Sequence, residues 1–451
     1  MRKYEKYKSS KEAVWYDSIP VNWVSTKMRK VFSERREKVS DKDYPPLSVG
    51  KMGVVPQLDT AVKTDNGDNR KLIRKGDFAI NSRSDRKGSG GMSNYDGSAS
   101  LIITVLKPHH ELNVNFYHYL LRNHYFSEEF YRNGKGLVSD LWTTKWEEMR
   151  NIYIPIPPRE EQDQIVRYLD WQVSKINHLI HGYQKQIELL DERKTTVINE
   201  AVTHGIHADV EMQAVEANWV KQIPTHWEFN KVKQHFEIKK RIAGKEGYDV
   251  ISITQQGLKV KDISSNEGQM AANYSKYQFV YPGDYAMNHM DLLTGFIGLS
   301  DIFGVTSPDY RVFSAVDVDR TDLKYFLYVF QLGYKRKIFY GLGRGAANKG
   351  RWRMPAINFK NYDIPVPPIE EQREIVEYIE QETEKIDLLK KEVEKQIGYL
   401  REYRTRLISD VVTGQIDVRD VVIPEYTPED DTEINVADTP DDTEEVAEDA
   451  E

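Results

Sequence analysis

Two stretches of this 451-residue chain combine glycines with cationic and amide side chains, a mixture suited to gripping a polyanion. The first reads Asn81-Ser82-Arg83-Ser84-Asp85-Arg86-Lys87-Gly88-Ser89-Gly90-Gly91. The second reads Gly341-Leu342-Gly343-Arg344-Gly345-Ala346-Ala347-Asn348-Lys349-Gly350-Arg351-Trp352-Arg353. Glycine lets backbone approach a ligand closely. Lys and Arg neutralise phosphates, and Arg or Asn can pair bidentately with guanine or adenine edges. Asn81, Arg83, Arg86 and Lys87 in the first stretch are therefore candidate DNA contacts, as are Arg344, Asn348, Lys349 and Arg351 in the second. Asn288 and His289, at the end of a repeated Gly-Asp-aromatic-Ala segment, join them. Further basic clusters are Arg35-Arg36 with Lys38, Lys239-Lys240-Arg241 and Lys335-Arg336-Lys337. A solvated loop would use the same residue types, but two such stretches in two homologous units favour binding.

Catalytic constellations are missing. No GxxxxGK[ST] phosphate loop occurs, nor a glycine fingerprint placed between a strand and a helix. HExxH is absent, and His109-His110-Glu111 after a proline reads as a solvated turn. Pro157-Pro158-Arg159 and Pro367-Pro368-Ile369 lack the flanks of an Asn/Asp-Pro-Pro-aromatic methyltransferase loop. Pro308-Asp309 with Asp317 and Asp319 is a poor imitation of a nuclease acidic trio. With no cysteine, thiolate metal sites and disulfides are unavailable, which suits a reducing cytoplasm. The expectation is a chain that performs no chemistry itself and holds no metal or cofactor.

The elements that must position these loops announce themselves by duplication. Residues 154–207 superpose on 364–417 at a constant offset of 210 without a gap, with 23 of 54 positions identical. In each copy a Pro-Pro pair closes an extended segment, and Glu160-Glu161-Gln162 or Glu370-Glu371-Gln372 follows, acidic residues suited to a helix N-terminus. Apolar residues then recur at alternating spacings of three and four, the mark of a heptad seam. Val173, Ile176, Ile180, Tyr183, Ile187, Leu190, Val197 and Ala201 carry it in the first copy, and Thr383, Ile386, Lys390, Val393, Ile397, Leu400, Leu407 and Val411 stand at the equivalent places in the second. Ile165 and Ile375, nearer the helix starts, join Val173, Ile176, Ile180, Ile187, Leu190, Ile386, Val393, Ile397 and Leu400 as candidate spacer and partner-docking residues. Lys194 and Arg404, at equivalent places, are its polar interruptions. The pattern predicts two long helices pairing as an antiparallel coiled coil, a rigid spacer presenting similar faces to two similar partners.

Duplication extends outside the helices. Trp15, Ile19-Pro20 and Trp23 return as Trp219, Ile223-Pro224 and Trp227. Gly76-Asp77-Phe78-Ala79-Ile80-Asn81 returns as Gly283-Asp284-Tyr285-Ala286-Met287-Asn288, and Gly134-Lys135-Gly136 as Gly343-Arg344-Gly345. Short β-branched runs bounded by Gly, Pro or Asn predict strands, and one helix is expected in each unit, near 114–131 and 322–339. The fold class is α+β (mixed α/β), with pseudo-twofold organisation. It divides into a globular unit 1–153, a helix 154–207, a second unit 208–363, a second helix 364–420 and a tail 421–451.

The net charge of −8 misleads, because residues 424–451 hold 13 Asp and Glu and no Lys or Arg; the rest carries about +5. That tail has the composition of a disordered segment. Its expected role is solubility, with competition against a polyanion for a basic groove as the alternative. No secretory signal or membrane span is expected.

The two Pro-Pro-x-Glu-Glu-Gln helix starts, the paired Trp/Ile-Pro/Trp entries, the Gly-Asp-aromatic-Ala segments and the two repeated helices together resemble the specificity subunit of a type I restriction–modification system. The resemblance covers residues 1 to about 420. It implies that each globular unit is a target recognition domain reading one half of a split, asymmetric site in double-stranded DNA. The helices would set the unspecified gap and dock two modification (methyltransferase) subunits that methylate adenine N6. Motor/restriction subunits would add ATP-dependent cleavage. S-adenosylmethionine, ATP and magnesium are then expected on those partner subunits. Two readers on a rigid spacer should meet half-sites about one helical turn, roughly 34 Å, apart. The competing reading is a coiled-coil protein–protein scaffold without DNA specificity.

Overall fold

The computed structural model describes residues 2–58, 67–83, 86–110, 112–136, 142–255, 257–262, 273–345 and 352–428. The chain forms two compact units. The first comprises Met1–Lys185 with Val393–Glu451, and the second comprises Gln186–Glu392.

Each unit is built on a four-stranded antiparallel sheet of the same order. In the first unit the strands run Gly90–Met92, Phe78–Asn81, Ile103–Pro108, Phe32–Glu34; in the second, Ile297–Leu299, Tyr285–Met287, Arg311–Ala315, Phe236–Lys239. Register repeats as well, with Phe78 opposite Leu106 and Tyr285 opposite Phe313. The aromatic residues of the repeated segments point into the core. Phe32, Phe78, Phe116 and Phe130 are fully buried in the first unit, as are Tyr285, Phe313, Phe326 and Phe330 in the second. Tyr285 stacks on Phe313 with ring centroids 5.0 Å apart.

The repeated Gly-Asp pair locks the turn into the central strand. Gly76 and Gly283 both adopt φ of +88°, a conformation costly for a side chain with Cβ. Asp77 accepts from Arg74 N at 2.8 Å and from Arg35 at 2.6 and 3.0 Å. Asp284 likewise accepts from Tyr281 N at 2.9 Å and from Arg241 at 2.5 and 3.3 Å. Arg35 and Arg241, counted among the basic clusters, are therefore internal ties.

The helix expected near 114–131 is two helices, Val114–Arg122 and His124–Arg132. Between them the Asn123 side chain accepts from Phe126 N at 3.0 Å, replacing a helical backbone bond with a cap. At the equivalent position the second unit has Leu332, and its helix runs unbroken over Leu323–Lys335. There the left-handed Lys337, φ 55°, ends it short of the expected 339.

The long helices span Arg159–His204, 46 residues, and Ile369–Val412, 44 residues. Residues 154–156 and 364–366, read from the sequence as the extended segments that the Pro-Pro pairs close, are strands. Tyr153–Ile156 pairs with Val24–Lys27, and Asp363–Val366 with Glu228–Lys231. The duplicated motif residues form this joint. Trp15 Nε1 donates to Tyr153 O at 2.8 Å and Trp219 Nε1 to Asp363 O at 3.2 Å. Trp23 and Trp227 donate to Glu161 and Glu371 at 3.0 and 2.9 Å. Gln162 and Gln372 reach back to Pro157 O and Pro367 O at 2.9 and 2.8 Å. Repetition of these residues thus reflects construction of a joint, not chemistry.

Within each unit the long helices pair antiparallel. In the first, Arg404 donates to Asn177 at 2.8 Å. In the second, Lys194 Nζ meets both Asp387 oxygens at 2.7 Å, and Lys390 meets Asp191 at 2.6 Å. Lys194–Asp387 and Arg404–Asn177 are the same contact under the repeat offset. The polar interruptions of the seam are interhelical pairs, the device that specifies register in coiled coils. Ile165, Val173, Ile176, Ile180, Ile375, Ile386, Val393 and Ile397 are buried, with Ile187, Leu190 and Leu400 half-buried. They hold the helices together, so a docking partner would have to meet the exposed faces instead.

Candidate nucleic-acid interface

Directly after the central strand of each sheet comes a loop of the same length. Asn81 N donates to Ser89 O at 2.9 Å and Asn288 N to Phe296 O at 3.0 Å, closing both. The two asparagines shape these loops from inside. Asn81 Oδ1 accepts from Arg83 N at 3.1 Å and Asn288 Oδ1 from Met290 N at 3.2 Å, the local turn that favours Asn. Their carboxamide oxygens are turned to backbone; Asn81 is buried and Asn288 half-buried.

Against each loop lies a second one. Lys135 and Thr143 exchange backbone hydrogen bonds at 3.1 and 3.0 Å, and Arg344 and Arg353 do so at 2.9 and 3.1 Å. The chain leaving each of these closures is seated on the first loop, with Thr144 N donating to Ser82 O and Met354 N to His289 O, both at 2.9 Å. One two-loop platform is therefore built twice. The two stretches singled out from the sequence are not equivalent: the first lies in the loop after the strand, the second in the closure 344–353. The equivalent of the latter is 135–143, whose Lys135, with exposed Trp142 and Lys145 beside it, went unnoticed. The signal was present in the match of Gly134-Lys135-Gly136 with Gly343-Arg344-Gly345.

The platforms differ in charge. In the first unit, Arg83 lines a groove of about 530 Å³ with Arg36, Lys71, Lys145, Leu101 and Ile102, and with Glu34 and Glu147, which pair with Arg36. Lys87 is ion-paired to Glu128 and lies 5.6 Å from the centre of the Tyr131 ring. Its ammonium holds the Glu128 carboxyl below the usual range. Arg86 belongs to the turn, donating from N to Arg83 O at 3.3 Å. In the second unit the first loop carries Asp291, whose side chain accepts from Leu293 N and Thr294 N at 3.0 Å. Positive charge comes instead from Arg344 and Arg353, both exposed and directly opposite each other. Like charges facing across a strand pair destabilise it, a cost that an anion lying between them would relieve. Trp352 packs on Tyr340 with ring centroids 4.8 Å apart, and a Cβ on Gly345 would come within 3.2 Å of its indole, so glycine permits the close approach.

His289 sits at the base of the second platform's loop, its backbone carbonyl accepting from Met354 N at 2.9 Å. Burial, then Arg311 and Arg353, push its pKa down to about 4, and its Nδ1 is buried without a hydrogen-bond partner among the described residues. The residue as a whole is half-buried, with Nδ1 turned inward. Asn348, Lys349 and Arg351 lie outside the described residues. Among the described residues no group of three or more His, Asp or Glu is placed to hold a metal ion, and no helix is long and apolar enough to cross a membrane.

Comparison with known proteins agrees with this architecture. A protein of Methanocaldococcus jannaschii described as the type I restriction enzyme MjaX specificity subunit is 22% identical over 403 residues, covering 85% of this chain and 87% of its own. The type I restriction enzyme MjaVIII specificity subunit of the same organism is 25% identical over 287 residues, 60% of this chain and 64% of its own. A solved structure from work on complex assembly and conformational transition of the type I R-M system shares the fold. Its TM-score is 0.59 at 15% identity, over 89% of this chain and all of that one. The type I restriction modification DNA specificity domain matches twice, at residues 20–189 and 224–398, once on each platform with its long helix, and the chain belongs to that family.

Proposed function

We propose that each two-loop platform contacts one half of a bipartite, asymmetric site in double-stranded DNA, and that the paired long helices set the gap between the halves. The observation that carries this reading is the same platform built twice on one frame with different loop side chains. A single frame with diverged loops suits two different half-sites, because specificity comes from loop side chains and DNA shape while phosphate contacts position the protein. In the first unit Arg83, Arg86, Lys87, Lys135 and Lys145 supply cations; in the second, Arg344 and Arg353 do. The exposed faces of the helices dock two modification subunits that methylate adenine N6, and motor subunits add ATP-dependent restriction. S-adenosylmethionine, ATP and magnesium reside on those partners, and the chain itself catalyses nothing.

Two measurements test this. A map of N6-methyladenine across the genome, with and without this gene, should lose one two-part motif with a fixed gap. In binding assays with the modification subunit present, Arg344→Ala should weaken contact with one half-site only and lower the salt slope by about one. Equal loss at both halves would refute the assignment of one platform to one half-site. Absence of salt-dependent DNA affinity would leave the scaffold reading.

A further inference from the structure

The chain does not leave the first unit where its second long helix ends. After Val412 it turns at Gly414 and is tied to the N-terminal segment. Asp417 N donates to Arg2 O at 2.9 Å, Tyr7 OH to Gly414 O at 3.1 Å, and Gln415 Nε2 to Ser18 O at 3.1 Å. It then lies along the first long helix. Gln164 Nε2 donates to Val418 O and Val421 O at 3.0 and 2.8 Å, and Ser174 Oγ to Thr427 O at 3.4 Å. From 418 to 427 this strap advances in the direction of the helix, so residues 421–428, expected to belong to a disordered tail, are docked.

The strap ends at a particular place. Burial and the nearby Asp170 carboxylate raise the Tyr426 phenol pKa. Asp170 also accepts from Tyr119 OH at 2.8 Å. With Val173 it lines a cavity of about 370 Å³ whose other walls include Gly88 of the recognition loop, Arg122, His124 and Arg404. The acidic chain is thus delivered to the rim of a cavity beside the first platform, whose wall carries Arg122, bonded to His118 and Lys51 O, and Arg404, bonded to Asn177, along with the Asp170 carboxylate. Beyond Pro428 come 23 residues with 12 Asp and Glu and no Lys or Arg.

We propose that residues 429–451 dock across this cavity toward Arg86 and Lys87, which precede Gly88, and compete there with DNA for the first platform. The inference rests on the DNA reading above. Twenty-three residues reach at most about 76 Å, ample for the loop. A tether of this kind gives an effective concentration of order millimolar, so even a weak contact is populated until a denser polyanion displaces it. DNA carries one charge per roughly 1.7 Å of axis and is such a competitor.

The natural chain has no cysteine, so Glu402→Cys, exposed and outside the cavity, with Ala447→Cys in the full chain gives a unique dye pair. Energy transfer should be high at 50 mM salt and fall both with added salt and with duplex DNA. Deleting 429–451 should tighten non-specific duplex binding about tenfold at low salt, and a synthetic 429–451 peptide should reverse the gain. Tighter binding on deletion with transfer that ignores salt would mean repulsion by a solvated tail and would overturn docking. Unchanged DNA affinity on deletion overturns the competition while leaving DNA binding intact. Salt-sensitive transfer in a chain that binds no DNA, with or without the tail, removes the DNA reading and the competition together.

Discussion

The joint between globular unit and helix predicts an asymmetry that the repeat conceals. Glu161 and Glu371 occupy the same motif position and each accepts from a tryptophan indole. Glu161 also accepts from the Tyr4 hydroxyl, a buried donor, and from Asn22 at 2.9 Å. Beside Glu371 the additional partner is His226 at 2.8 Å, whose side chain is 44% exposed and can turn to water. Glu161→Ala therefore strands two buried donors, Trp23 Nε1 and Tyr4 OH, and Glu371→Ala strands one. At about 1–3 kcal/mol per unsatisfied buried group, the first substitution should cost about 2–6 kcal/mol and the second about 1–3. For units of this size about 1 kcal/mol lowers Tm by roughly 2–4 °C. Differential scanning calorimetry of the two variants should then show the Glu161→Ala transition falling further, by several degrees, than that of Glu371→Ala. Tyr4→Phe should cost Glu161 one partner and recover part of the difference in a double-mutant cycle. Equal shifts for the two glutamates would refute the donor count.

Other expectations follow from the same packing. His118, held by burial and Arg122 at a pKa of about 3, and His289 at about 4 are neutral in the folded chain. Both lie below the ordinary 6.5, so the unfolded chain takes up protons first. Stability is full above pH 6.5 and should fall by about 1.4 kcal/mol per pH unit per histidine towards the folded values. Denaturation midpoints from pH 7 to 4.5 measure this, and His118→Gln should flatten the slope for the first unit; an unchanged slope refutes it. Gly333→Ala in a helix interior would ordinarily gain about 1 kcal/mol, yet its Cβ would collide with the buried Phe339 ring, so a lower melting temperature is expected. The Lys194–Asp387 pair is 27% and 47% exposed. Its coupling in a double-mutant cycle should stay below about 1 kcal/mol and shrink in high salt.

Much of the architecture was legible because the chain states it twice. Constant offsets exposed two homologous units, and the alternating three-four spacing exposed the helices and even the place of their polar interruptions. Those signals are local or self-referential, and need no knowledge of which residues meet. Heptad periodicity could not name the partners of Lys194 and Arg404. Asp387 and Asn177 are nearly 200 or more residues away in the chain and become neighbours only when the helices run antiparallel.

The candidate site lay further from reach for the same reason. Glycine, arginine and asparagine at a strand end describe a loop's composition, not whether its side chains look outward. Tertiary contacts turned the carboxamide oxygens of Asn81 and Asn288 to their own backbones, buried the Nδ1 of His289, and gave Arg35 and Arg241 to Asp77 and Asp284. They also joined each strand-end loop to a closure some 50 to 60 residues downstream, making one platform of two segments. Sequence by itself determined the duplication, the helices, the fold class and the polyanion-binding character. Only the tertiary structure decided which cations face outward, because burial and pairing are set by residues that sequence order keeps apart.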